Sequence, residues 1–331
     1  MKEKDCSKVI INPGFNEILG TDGLRDCNRS FGKEYFEYRR KWSEYPKRGK
    51  IADFPLHLDI ESTSACNLRC IMCARNFMQE ELENKIGYMK WGLFKKIIDE
   101  ASEHGLPSIK LNYRGEPLLH PDLEKMVRYA KDAGVIEVQF NTNGLLLTEE
   151  RARSLIGAGL DRIIFSFDGA TKETYEKIRT GSNYETVVNN VKNLVRLRDG
   201  MGLNRPCVRV QTVRMPETEG EIDQYVKMWK PVANRVGIIR KRDRDKAVKA
   251  GMEAFPCPQI WQRMMICWDG ETRMCCGDWG GMYVIGDANK ESVYDMWHGK
   301  KLGYVRRCHL KGESEKILVC ARCEINKSSI K

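Results

Sequence analysis

Cys66, Cys70 and Cys73 stand in the pattern C-x3-C-x2-C within SACNLRCIMC. Three thiolates on so short a loop can hold three irons of a [4Fe-4S] cube, whereas a closed electron-transfer cluster normally takes four cysteines. One iron is then left open. The bland alternative is a zinc knob completed by a distant histidine, His57 or His104, because zinc accepts Cys3His. A second concentration lies downstream, where seven of the thirteen cysteines fall between Cys257 and Cys323. The apolar stretch at 9–11 is too short for a signal-peptide core, so the expectation is a cytoplasmic chain. There thiols stay reduced, and clustered cysteines point to metal or redox chemistry rather than to disulfides.

The first cysteine loop directly follows a β-rich run, LHLDIEST (56–63). Five more such runs follow: SIKLNY (108–113), EVQFNT (137–142), RIIFSF (162–167), VRVQTV (208–213) and RVGIIR (235–240). Between them, WGLFKKIIDEAS, LEKMVRYAKDAG and TVVNNVKNLVRLRD carry apolar residues at three- and four-residue steps, as helices covering a sheet do. Pro121 and Thr148 mark helix starts, Gly105 and Gly134 helix stops. Strands alternating with helices predict parallel βα units. Several strands run into SACNLRC, RGEP, NGL and DGA, text that belongs at the C-terminal mouth of a βα barrel. An open doubly wound sheet is the rival, but the first βα turn lacks a glycine fingerprint. The expected fold is therefore α/β, a partial (βα)6 barrel followed by a small C-terminal cysteine-rich domain.

Length allows that division: 331 residues exceed the size at which a single core stops growing. A 41% hydrophobic and 31% charged composition without a long apolar run excludes a membrane protein. We expect an N-terminal extension at 1–50 with a helix around KEYFEYRRKW, a barrel at 51–245 and a tail at 246–331. RKRDRDKAVK (240–249), with six basic and two acidic residues, reads as a solvated linker. The tail has too little apolar material for its own core unless a metal staples it, and Trp261, Trp268, Trp279 and Trp297 are expected around that centre. Cys207 opens the fifth strand and is read as core. A net charge of +10 suits a phosphorylated substrate, nucleic acid or an acidic partner without selecting one.

From 56 to 240 the chain resembles the radical S-adenosylmethionine (SAM) enzymes, whose signature is this C-x3-C-x2-C loop after the first strand of a partial barrel. The resemblance implies that Cys66, Cys70 and Cys73 hold a [4Fe-4S] cluster whose open iron is chelated by SAM, which is cleaved reductively to a 5'-deoxyadenosyl radical. YRGEPLLHP is similar to the family's GGEP motif, giving Glu116 to the SAM ammonium beside Gly115, with Arg114 in place of the first glycine. By the same likeness Asn143 lies at the mouth, Ser166 and Asp168 of SFDG face the SAM ribose or carboxylate, and Arg179 of YEKIRTG pairs with its carboxylate. Met72 stands where an aromatic residue is usual, next to adenine.

The tail resembles the SPASM extension or its shorter Twitch relative, which hold auxiliary Fe-S clusters. That likeness implies one auxiliary [4Fe-4S] cluster on Cys257, Cys275, Cys320 and Cys323, spaced C-x17-C-x44-C-x2-C, with Cys276 able to replace Cys275 and a zinc ribbon as the alternative. Cys267, Cys276 and Cys308 remain as candidate hydrogen donors to a substrate radical. The implied activity is hydrogen abstraction from a small sugar- or aminocyclitol-like substrate, ending in oxidation or epimerisation, with a reductant such as flavodoxin or ferredoxin. A peptide-modifying maturase is the alternative; fifty residues before the barrel are too few for the leader-binding domain that such relatives often add. The competing class is a non-catalytic, metal-stapled nucleic-acid-binding protein, which would explain the charge but not Glu116 and the open three-cysteine loop together. No membrane partner is expected.

Overall fold

The computed structural model describes residues 15–19, 27–76, 86–240 and 257–323; the basic linker segment 241–249, the boundary at 245, Cys6 and the stretch 9–11 lie outside the described residues. The alternating text folds as expected. Strands β2 (His57–Ile60), β3 (Ser108–Lys110), β4 (Glu137–Thr142), β5 (Arg162–Ser166), β6 (Cys207–Arg214) and β7 (Arg235–Arg240) pair in chain order, every neighbour parallel. Between them run α2 (Trp91–Glu103), α3 (Leu123–Asp132), α4 (Glu149–Gly157), α5 (Lys172–Ile178), α6 (Tyr184–Gly200) and α8 (Ile222–Trp229), the last preceded by the short α7 (Pro216–Glu219). Helix α4 begins where Thr148 accepts from the N–H of Arg151, and α2 and α3 end before Gly105 and Gly134, which adopt the left-handed backbone that glycine tolerates. The start of α3 is Asp122 rather than Pro121.

Period two along the strands makes two faces. Leu58, Ile109, Val138, Ile163, Val208 and Val236 join the helices in the core. Their neighbours Asp59, Lys110, Gln139 and Arg162, set side by side by the register, give the inner face a polar, charged lining. Cys207 is buried in the same row, at the barrel's lower end as expected.

Four strands that alternation does not predict extend the sheet. β1 (Phe15–Leu19) lies antiparallel to β7, and β8 (Arg263–Ile266) lies parallel to β2, followed by antiparallel β9 (Glu271–Arg273) and β10 (Val284–Asp287). The tail continues with α9 (Val293–His298), α10 (Lys300–Leu310) and α11 (Leu318–Ala321). Its apolar residues Ile260, Trp261, Met264, Trp297, Val305 and Val319 belong to the same contiguous core as the barrel. The tail therefore has no core of its own and shares the barrel's. Trp268 departs from its predicted place: its ring fills the space beside Gly87, on the barrel side.

Helix α1 (Lys33–Lys47) lies near the start of the chain and carries Tyr35, Tyr38 and Trp42 into a small aromatic core with Phe31, Ala52 and Leu56. It closes the end of the barrel away from the cysteine loop. There His57 bonds Ser108 at 2.9 Å, Ser108 donates to Glu137 at 3.1 Å, and Arg162 reaches Glu137, Asn28 and Tyr35.

Candidate functional site: two thiol sets at the barrel mouth

The loop after β2 is pinned by its backbone. Arg69 and Ile71 donate to the carbonyls of Thr180 and Ile178 at 3.0 Å, Asn76 donates to Cys70 O at 2.7 Å, and Arg75 reaches Ser64 O. Cys70 is buried while Cys66 and Cys73 are half-exposed, as is Met72. Burial pushes the Cys66 and Cys70 thiols up, and Arg179 opposes this at Cys70. Neither proposed zinc histidine lies here. His57 occupies the opposite end of β2, and His104 follows α2 and bonds Asp53 at 3.0 Å, so the zinc-knob reading fails on position.

The RGEP turn docks onto this loop. Glu116 donates its N–H to Ala65 O at 2.8 Å, and a Cβ on Gly115 would lie 2.2 Å from Thr63 O and 2.5 Å from Ala65 O, so only glycine fits. The Glu116 carboxylate is buried and accepts from Leu118 N at 3.0 Å, Thr142 Oγ1 at 2.7 Å and Asn143 N at 2.7 Å. Burial pushes its pKa up, and those donors pull the other way. Asn143 also donates to Asn67 Oδ1 at 2.8 Å, tying the TNG turn to the cysteine loop.

Asp168 and Arg179 meet one another. Arg179 Nε and Nη2 lie 2.6 and 2.5 Å from Asp168 Oδ2, and Nη1 donates to Cys70 Sγ at 3.6 Å. Burial works against the Arg179 charge, yet Asp168 and Cys70 hold its pKa above the ordinary value. Asp168 Oδ1 accepts from Val213 N at 2.6 Å. Ser166 ends β5 on the inner face, opposite Gln211 of β6.

Arg114 has a partner that sequence reasoning missed. Its Nε and Nη2 form a bidentate pair with Glu61 at 2.8 and 2.6 Å, and its backbone N–H donates to the same carboxylate at 3.1 Å. Both side chains are buried. Beneath the mouth, buried Asp59 meets Lys110 at 2.9 Å and Arg263 at 3.2 Å.

In the tail, Cys257 lies in the electrostatic field of Cys323 and Cys276, and Cys275 in that of Cys276, Cys257 and Cys320. The four expected ligands thus gather with Cys276 as a fifth neighbour. Burial raises the Cys257 thiol to about 12 and those of Cys275 and Cys320 strongly as well. Among the described residues no three His, Cys, Asp or Glu side chains converge on a single-ion site. Asp278, buried, accepts from Met282 N at 2.8 Å and Tyr283 N at 2.9 Å and shapes the loop after Cys275.

The candidate donor thiols divide. Cys276 donates to Gln259 Oε1 at 3.3 Å beside the tail set, and Cys308 is buried on α10 next to Cys320. Cys267, fully buried at the β8–β9 turn, faces Glu61, Arg273 and Arg114 instead. Tyr113 bridges the two regions: its ring packs on Trp279 at 5.3 Å, and Cys276, Cys267 and Cys275 surround it electrostatically. His309, also missed from sequence, lies against Cys257 and Cys320, with its pKa pushed down to about 4 by burial.

The donor sets suit the groups the sequence suggested: three thiols with no fourth on one loop, and four on converging tail segments. Residues 60–228 match the radical SAM superfamily, and residues 257–324 match an iron-sulfur cluster-binding domain, the SPASM domain, which overturns the zinc-ribbon alternative. A curated relative, the "tungsten-containing aldehyde ferredoxin oxidoreductase cofactor-modifying protein" of Pyrococcus furiosus, is 33% identical over 178 residues, 52% of this chain and 47% of that protein. An "AdoMet-dependent heme synthase" of Methanosarcina barkeri is 39% identical over 119 residues, 36% of this chain and 33% of that one. The chain spans about half the length, or less, of these curated relatives. Among solved structures, BtrN in complex with AdoMet and 2-DOIA is similar in fold, with TM-score 0.51, 18% identity, and coverage of 82% of this chain and 91% of that one. SuiB of Streptococcus suis bound to S-adenosylmethionine gives TM-score 0.61, 15% identity, and coverage of 82% and 72%. No helix among the described residues is long and apolar enough to cross a membrane.

Proposed function

Because the chain belongs to the radical SAM superfamily and carries a SPASM iron-sulfur domain, we propose that it cleaves SAM reductively and abstracts hydrogen from a small, polar, sugar- or aminocyclitol-like substrate in the barrel. The observation that carries this reading is the docking of the RGEP turn on the three-thiol loop, which sets the buried Glu116 carboxylate beside Cys66. On this reading Cys66, Cys70 and Cys73 hold the open cluster, and Cys257, Cys275, Cys320 and Cys323 a closed one. When bound, the reduced open cluster supplies the electron that turns SAM into methionine and the hydrogen-abstracting radical.

The chain's residues do the rest. Glu116, held by three donors, presents a fixed negative charge to the SAM ammonium. Asn143 and Ser166 line its approach, Met72 flanks the adenine, and Gly115 allows close backbone contact. Arg179, already aligned by Asp168, offers a guanidinium to the SAM carboxylate and to Cys70. The polar inner-face residues Lys110 and Gln139 suit a hydrophilic substrate. The domain limits 1–50, 51–245 and 246–331 are part of the same proposal, as is a flavodoxin- or ferredoxin-type reductant.

Anaerobic reconstitution tests the reading. The protein should hold about eight irons and make 5'-deoxyadenosine with dithionite; full iron without any SAM cleavage would overturn it. A peptide substrate is the competing reading, and offering candidate sugars and peptides to the reconstituted enzyme separates the two. With a substrate in hand, turnover in D2O follows the fate of the radical. A ketone-level product means oxidation, whereas an isomer carrying solvent deuterium means hydrogen donation by a thiol such as Cys267, Cys276 or Cys308.

A further inference from the structure

Donors aimed at the sulfurs of an iron-sulfur cluster raise its reduction potential, because each stabilises the added negative charge of the reduced form. His309 is placed to be such a donor. It is buried near the end of α10, with the backbone N–H of Cys257 directed at Nδ1 at 3.2 Å and with Nε2 3.3 Å from Cys320 Sγ. A backbone N–H can only donate, so Nδ1 keeps its lone pair and the ring proton sits on Nε2, facing the sulfur. The same contact occupies the Nδ1 lone pair, so neither nitrogen is left to ligate iron. Arg306, close by, is turned away by bonds to Ile260 O at 3.0 Å and Trp297 O at 2.7 Å, and the Trp261 ring stands edge-on to the imidazole at 6.4 Å.

Resting on the reading that Cys257 and Cys320 are ligands of the tail cluster, we propose that His309 is its positioning and redox-tuning residue. The ring clamps two ligands from distant parts of the chain and donates Nε2–H to the Cys320 thiolate. The sequence motif supplies the ligands; this residue sets how readily the cluster accepts an electron.

The test is a redox titration of the reconstituted full-length protein, followed by electron paramagnetic resonance. Wild type should hold about eight irons in two couples; about four irons and one couple would remove the tail-cluster reading itself, and His309's role with it. His309→Leu should keep the irons and lower only the tail couple. Its reduced-to-oxidised ratio at fixed poise should fall about tenfold, or 59 mV for a one-electron couple. His309→Gln, which offers an N–H near the Nε2 position, should restore the ratio. An unchanged tail potential in a fully loaded leucine variant overturns the proposal. If the leucine variant loses the tail cluster, the glutamine variant decides: a loaded cluster at near-wild-type potential supports the role, and loss there as well overturns it.

Discussion

Around Cys66, Cys70 and Cys73 the polar neighbours carry full charges: Glu116 and Arg75 act on Cys66, Arg179 and Asp168 on Cys70. Around Cys257, Cys275 and Cys320 the neighbours are chiefly other thiols and a neutral imidazole, and burial raises the thiols far more. The barrel loop is half-open and lined by charges that hydrogen bonds hold in place in advance, as a site must be if a zwitterionic cofactor is to enter and be oriented. In the tail set Cys320 is buried and Cys257, Cys275 and Cys323 are half-exposed, and the thiols crowd mainly one another. Its thiolates form only when a metal displaces their protons, which favours a centre bound once and retained.

The severest way to break this comparison is to delete each thiol set in turn. Replacing Cys66, Cys70 and Cys73 together by Ala should abolish 5'-deoxyadenosine formation and leave about four irons. Replacing Cys257, Cys275, Cys320 and Cys323 should also leave about four irons but keep SAM cleavage, since four thiolates close all four irons and the tail centre cannot chelate SAM. Iron analysis with product chromatography reads both, and SAM cleavage by the first variant would dissolve the division of labour.

Charge at the mouth should also appear as stability. Arg114→Met leaves Glu61 buried without its bidentate partner, a loss of about 3–5 kcal/mol by the general cost of breaking a buried pair. Equilibrium denaturation measures it, and Glu61→Leu combined with Arg114→Met should recover much of the loss. If the single variant is as stable as wild type, the pair is not what holds the RGEP turn on β2.

That pair shows where the sequence stops being informative. The six barrel strands were legible because each is a local β-rich run followed by a helical pattern, and the cysteine loop, Gly115 and Glu116 were legible because their spacing is short. Glu61 and Arg114 follow different strands, β2 and β3, and nothing local announces that they meet. RMMI, the text of β8, is too short to declare itself, and its parallel pairing with β2 is wholly non-local. His309 sits in an ordinary amphipathic helix, so only the fold reveals its position between Cys257 and Cys320. Arg179 and Asp168 were each identified by motif, but their mutual ion pair was not.

A smaller effect belongs to Glu116→Gln. The charge-assisted bond to the SAM ammonium becomes neutral, a loss of about 1–2 kcal/mol, or roughly five- to thirtyfold in SAM affinity. Isothermal titration on reconstituted protein checks it, with the tail cluster's spectrum unchanged. Equal affinity would return Glu116 to a purely structural role, which its three internal donors would support.

The mildest change probes the seam between the regions. Tyr113 leaves the same turn as Glu116, but its hydroxyl is buried without a partner and points among Cys276, Cys267 and Cys275. In apoprotein, Tyr113→Phe removes an unsatisfied polar group and should be neutral or stabilising by up to about 1 kcal/mol, since an apolar group of similar shape takes its place. In reconstituted protein the sign should reverse. A bound cluster would give the phenol a sulfur to donate to, and losing that bond should cost about 0.5–1.5 kcal/mol. Thermal unfolding of both forms reads the two signs under otherwise equal conditions. A stabilised phenylalanine variant in both forms would mean that the barrel turn lends nothing to the tail centre, and the two regions would then be neighbours in one core without chemical contact.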